Sequence, residues 1–248
     1  MCCFSGPVEL VADTKIFARL TEGWQYLAYE MRFDAKAPVA MVLPVPTRPE
    51  SPRLEFIDLA GVDGFFGRLD TAFAAKSRGR SDGLSFEDDR GVLEVVRVGA
   101  FDASFVPAKA DFARIDKRFQ LSDAVWQELT GYIDWSFAVF QFAELHEHSH
   151  PMAFRFETRA PGSFYFPTMH VHDGTVPAVA LFDHALYAQG QPDEDGWERT
   201  TARAGEVLGE LAQHESIQRL CELGAFVRRR EVRGERPNED VWVPLWQG

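Results

Sequence analysis

The chain has 248 residues, 46% of them hydrophobic and 26% charged, with 21 phenylalanines and a formal net charge of -12. That balance belongs to a globular protein with enough chain to bury a core. The acidity speaks against a nucleic-acid groove or an anionic membrane surface as partner, because both need a basic footprint. No stretch reaches the roughly 18 apolar residues of a membrane helix. Residues 1–15 carry Glu9 and Asp13 and no long apolar run, so a cytoplasmic protein with reduced thiols is expected.

The first half reads as antiparallel strands. Residues 6–20 and 24–34 are extended runs joined at Glu22-Gly23, a turn signal between two β-like segments. A third strand over 39–45 ends at Pro44-Val45-Pro46, since proline cannot donate to a ladder. Phe65, Phe66, Leu69 and Phe73 fall near helical spacing and predict a helix over 59–76. Residues 77–90 are polar and contain glycine, a loop, and Val92 to Phe101 returns to strand.

Ser122 is placed to cap a helix carrying Val125, Trp126 and Leu129. Strands are predicted over 137–142, 152–156 and 164–172, and a helix over 197–211 from the stripe Trp197, Thr201, Ala204, Leu208 and Leu211. Cys221 reads as a small buried hydrophobe in a helix with Ile217 and Leu220. Arg228-Arg229-Arg230 reads as a solvated helix end or edge strand. The sum is a single α+β domain over 1–248, a predominantly antiparallel sheet with a few packed helices.

Two groups of residues carry candidate chemistry. Cys2 and Cys3 follow Met1 directly, and six of the seven histidines lie between His146 and His184. Thiolate and imidazole are ligands suited to zinc and copper. His170-Val171-His172 runs into Asp173-Gly174, a strong signal for a two-residue hairpin. Strand alternation puts His170 and His172 on one face, about 7 Å apart. In that hairpin His172 pairs with Thr175 and His184 with Ser163, which sends His184 roughly 23 Å from His170 and to the other face. His148 and His150, in His146-Glu147-His148-Ser149-His150, form a weaker, loop-borne pair. In an extended strand Cys2 and Cys3 point to opposite faces, so one thiol at most joins the imidazoles easily. Cys3 packed against Phe4 is the structural alternative.

Removal of Met1 gives Cys2 a free α-amine with a pKa of about 8, a base next to its own thiol. The start Met1-Cys2, with Phe17-Ala18-Arg19-Leu20-Thr21-Glu22 in the next strand, resembles the choloylglycine and penicillin-acylase branch of the N-terminal-nucleophile hydrolases. That resemblance implies Cys2 as nucleophile and Arg19 as a substrate-positioning group. Thr21 and Glu22 stand where that branch carries an Asp. The Cys- and Phe-containing start with Leu43-Pro44-Val45-Pro46 is similar to an uncharacterised bacterial family, which implies a shared fold.

Three functions stay open at this level. The first is a cytoplasmic metal-binding protein, a zinc or copper metalloenzyme if catalytic, with Cys2 or Cys3 and His170/His172 as ligands and a small molecule or the ion itself as partner. The second is an N-terminal-cysteine amide hydrolase using Cys2 and Arg19. The third is a non-catalytic domain that binds a ligand or a partner.

Overall fold

The structure is a computed structural model and describes residues 2–74, 96–98, 101–142, 146–148 and 151–246. Its first elements are β1 (Cys2–Phe4), β2 (Val8–Thr21), β3 (Trp24–Ala35), β4 (Val39–Val45), β5 (Leu54–Ile57) and α1 (Phe65–Ala74). Next come β6 (Val96–Val98), β7 (Phe101–Val106), α2 (Asp123–Glu128), β8 (Ser136–Phe142), β9 (His146–His148) and β10 (Met152–Glu157). The last third holds β11 (Ser163–Phe166), β12 (His170–Val171), β13 (Val179–Gln189) and β14 (Glu198–Arg199). It closes with α3 (Ala204–Leu208), α4 (Glu215–Leu220), β15 (Arg228–Pro237) and β16 (Val241–Pro244).

The sequence predicts one sheet; the described residues form three. One has six strands in the order β12-β1-β4-β8-β7-β6. The second has eight, in the order β14-β15-β13-β2-β3-β10-β5 with β9 added to β3. The third pairs β11 with β16. Pairing is antiparallel except for β1 with β12 and β13 with β2, so the mixed, antiparallel-rich class read from the sequence is what the structure has.

Alternation explains how the eight-stranded sheet is sandwiched. Ile16 and Ala18, Leu27 and Tyr29, Phe154 and Phe156, and Leu186 and Ala188 belong to the core shared with the six-stranded sheet. Their neighbours Phe17, Tyr26, Ala28, Ala153 and Tyr187 pack on the other face with α1, α3 and α4. These stretches bury both faces, which is why apolar residues run consecutively in them, broken by a few polar positions such as Lys15 and His184.

Local chemistry accounts for the element ends. Glu22 and Gly23 both take positive φ, 50° and 78°, and Thr21 pairs with Trp24, the two-residue turn that suits strand twist. Pro44 pairs with Phe137, beyond the end of β1, so its missing N–H breaks no ladder. Ser122 Oγ accepts from Val125 N at 3.3 Å, the predicted cap. The predicted helix 59–76 begins only at Phe65, because Gly61 and Gly64 sit at φ 73° and 79°. The predicted helix over 197–211 is α-helical only at Ala204–Leu208, where Gly209 at φ 58° stops it. Arg228–Arg230 lies in β15, between β13 and β14. Loop residues 77–90 and the start of the strand from Val92 lie outside the described residues.

Candidate functional site: a buried histidine cluster at the amino-terminal strand

Pro167, which offers no N–H, separates β11 from β12 and splits the strand predicted over 164–172. The backbone between them is held by two side chains ahead of β16. Asp240 Oδ1 accepts from Thr168 N at 2.7 Å and Met169 N at 2.9 Å, and its Oδ2 accepts from Tyr132 and Tyr165 hydroxyls at 2.7 and 2.8 Å. Asn238 Oδ1 accepts from His170 N at 2.7 Å, while its Nδ2 donates to the carbonyls of His170 and Pro177, each at 2.9 Å. On the other side Val8 N donates to His172 O at 2.9 Å.

This clamp overturns the predicted hairpin. Asp173 Oδ1 accepts from Thr175 N and Oγ1, a local turn, and no strand resumes until Val179. β12 pairs with β1, Cys2 opposite His170 and Cys3 opposite Val171, instead of with β13. His184 pairs with Thr14 and Val232, not with Ser163. The predicted remoteness of His184 is therefore wrong: its ring centroid lies 5.1 Å from that of His170. The same-face placement of His170 and His172 holds, with centroids 4.9 Å apart.

Three imidazoles thus gather at one point between the sheets. Phe182 walls them on one side, 4.7 Å from His170 and 5.2 Å from His184, and Phe4 lies 6.2 Å from His172. His170 is 8% exposed and His184 1%. Burial holds all three below the usual histidine range, His170 at about 3 and His172 at about 4. They are neutral imidazoles at pH 7, the form that ligates metals. Nε2 of His170, Nε2 of His172 and both nitrogens of His184 are buried and have no hydrogen-bond partner among the described residues. Among the described residues, no group of three or more His, Cys, Asp or Glu could hold a metal ion.

The other predicted site residues divide. The backbone of Cys2 is brought beside His170; its side chain lies outside what is described. Cys3 is fully buried in the inter-sheet core with Phe4, as in the structural alternative. Arg19 is not brought to Cys2. It sits five residues beyond Thr14 on β2, roughly 17 Å along the strand, and donates to the carbonyls of Leu220 and Arg219 at 2.9 and 2.8 Å. Its guanidinium stacks on Tyr26 at 3.9 Å. The backbone of His148 pairs with Arg32 in β9; His150 and the side chain of His148 lie outside the described residues. Cys221 is 3% exposed beside Ile217 and Leu220, as predicted.

The sequence reading missed His184, Asn238 and Asp240 as members of this site. For His184 a signal existed: it shares the alternation of Phe182, Leu186 and Ala188, so it stands at an inward position where a polar group needs a partner.

No protein-family model matches the sequence, and no curated protein matches it. Among solved structures the chain is similar in fold to baculovirus P35, with a TM-score of 0.54, 13% identity and full coverage of both chains. A mutated baculovirus P35 after caspase cleavage matches at a TM-score of 0.49 and 12% identity, over 95% of this chain and all of that one. The caspase-8/P35 complex matches at 0.46 and 12%, over 94% of this chain and 96% of that one.

Proposed function

We propose that this chain is a binding protein whose partner is another protein, a cysteine protease of the caspase type. One observation carries the reading: the likeness to P35 runs over the whole of both chains, not over a shared fragment. P35 is a protein recorded after caspase cleavage and in complex with caspase-8. The step from fold to partner is an analogy. The surface supports a macromolecular partner: Trp242 on β16 and Trp246 just after it are both exposed. Trp242 stacks on Tyr165 at 4.8 Å, which fixes one ring before any partner arrives. Rigid exposed tryptophan is the side chain most enriched at the energetic centres of protein interfaces.

The test is an inhibition and complex assay. Caspase-type proteases are incubated with stoichiometric chain, residual peptidase activity is followed, and the mixture is run on size exclusion with intact-mass analysis. Loss of activity with a co-eluting complex is expected, and Trp242→Ala with Trp246→Ala weakens that complex. Full protease activity and separate elution at micromolar protein would end this reading.

A further inference from the structure

We infer that five arginines at one end of the eight-stranded sheet form a docking surface for an acidic, extended segment of a partner protein. The inference is independent of the protease reading and of the histidine cluster. It starts from cross-strand register. Arg19 of β2 stands opposite Tyr26 of β3, Tyr26 opposite Arg155 of β10, and Arg155 opposite Glu55 of β5. The next row on that face holds Trp24 opposite Glu157, because side chains two apart in a strand point the same way. Arg219, in the last turn of α4, reaches Glu55 from the helix layer. Arg48 and Arg53 reach Glu157 at 3.4 and 3.8 Å.

The charge on this surface does not balance. Arg155 and Arg219 share Glu55, and Arg48 and Arg53 share Glu157. Arg19 donates to the carbonyls of Leu220 and Arg219 instead. Five guanidiniums thus meet two carboxylates among the described residues, which leaves three positive charges unmatched on a chain whose net charge is -12. The inner arginines are fixed. Arg155 donates to Tyr26 and to both oxygens of Glu55 and lies 4.6 Å over Trp24, while Arg19 stacks on Tyr26. The outer ones are accessible, with the side chains of Arg53, Arg48 and Arg219 63%, 50% and 42% exposed. Exposed ion pairs of this kind are weak, so their guanidiniums are open to a further carboxylate.

Shape and chemistry choose among anions. The row crosses four strands, about 14 Å at strand spacing, and four or five extended residues cover that length. Carboxylates on alternate residues of such a segment recur about every 7 Å along one side, and guanidinium pairs with carboxylate through two N–H groups at once. Single-stranded nucleic acid needs bare ring faces on which bases stack. Here Tyr26 is 7% exposed under Arg19, and Trp24 lies under Arg155. The net charge also repels a long polyanion. A short acidic segment meets only the local excess, because charges beyond about 8–10 Å are screened at physiological salt.

The experiment titrates the full chain into a fluorescein-labelled dodecapeptide of alternating Glu and Ser and follows anisotropy. A Lys-Ser dodecapeptide and a dodecamer of oligothymidylate are titrated alongside. Binding of the Glu-Ser peptide is expected, weakening as salt is raised. Arg53→Glu/Arg219→Glu should weaken it by more than about 10-fold, since like charges then face one another. Lys36→Glu/Arg236→Glu makes the same change of net charge at the opposite end of the sheet and should bind as wild type does. Circular dichroism checks the fold of each variant. If the reversal fails to fold, Arg53→Gln/Arg219→Gln decides, with a smaller loss expected. No binding of the Glu-Ser peptide, equal loss in the Lys36/Arg236 variant, or tighter binding of the Lys-Ser peptide or oligothymidylate overturns the inference.

Discussion

Two polar clusters sit back to back on the eight-stranded sheet, and they solve burial in opposite ways. On the helix-covered face, Lys15 of β2 reaches Asp13 and Asp70, each at 3.1 Å, and Glu30 at 3.7 Å. Tyr187 donates to Asp70 beside them. On the inter-sheet face, one position away in register, His184 stands opposite Thr14 with neither nitrogen partnered. The first cluster carries its own cation on a tether and is closed. The second leaves its ring nitrogens without a partner among the described residues, which costs stability at this depth.

The sharpest way to break this contrast is to remove the tethered cation. Lys15→Met takes away the ammonium between Glu30 and Asp70 and leaves Asp70 the more distant Arg229, 3.9 Å away. Breaking a buried pair costs about 3–5 kcal/mol, and because Asp13 is half exposed a loss of about 3 kcal/mol is expected, read as a lower urea midpoint at unchanged slope. A second and smaller effect tests the clamp behind the histidines. Asp240→Asn keeps the size but gives up the charge that accepts from two tyrosines and two backbone N–H groups. A loss of about 2 kcal/mol follows, in the range for hydrogen bonds to a charged group.

Much of the scaffold was legible from short-range rules. The Glu22-Gly23 turn, the Ser122 cap, the proline end of β4 and the period-two pattern of β10 each follow from neighbours a few residues away. The site was legible only in part. His170 and His172 share a face because alternation is local, and the amino-terminal strand does run beside them, as the Cys-plus-His reading required. The failure lay at Asp173-Gly174, where a turn dipeptide was taken to set the pairing of both flanking segments. Asn238 and Asp240, some 70 positions later, hold the backbone of His170 and of the Thr168-Met169 segment before it instead. No spacing in the sequence announces a long-range side-chain clamp. The arrival of His184 at 5.1 Å from His170 is its consequence.

The closed cluster should also respond to pH. Burial, offset by Lys15, raises the Glu30 carboxyl from its ordinary value to about 7. Between the unfolded and folded values the native state therefore holds a proton that the unfolded chain has released. Its contribution to stability is present at low pH and declines as pH rises to about 7, by up to about 1.4 kcal/mol per pH unit, then levels off. Lys15, Asp13 and Asp70 are the charges facing it. Urea midpoints of wild type and Glu30→Gln at several pH values check this. The difference between the two proteins should change across that window, and a constant difference would show that Glu30 titrates normally.

The smallest effect is the most telling for the open cluster. His184→Leu replaces two nitrogens that have no partner among the described residues by methyl groups of similar volume, against the same Phe182 and His170 rings. Removing a polar group that makes no bond is close to neutral or stabilising, and near-isosteric apolar changes disturb a core by less than about 1.5 kcal/mol. Stability within about 1 kcal/mol of wild type is therefore expected, read as the urea midpoint at unchanged slope. A His184→Leu variant that loses as much as Lys15→Met would mean that the imidazole is satisfied inside the protein. The two faces of the sheet would then be alike.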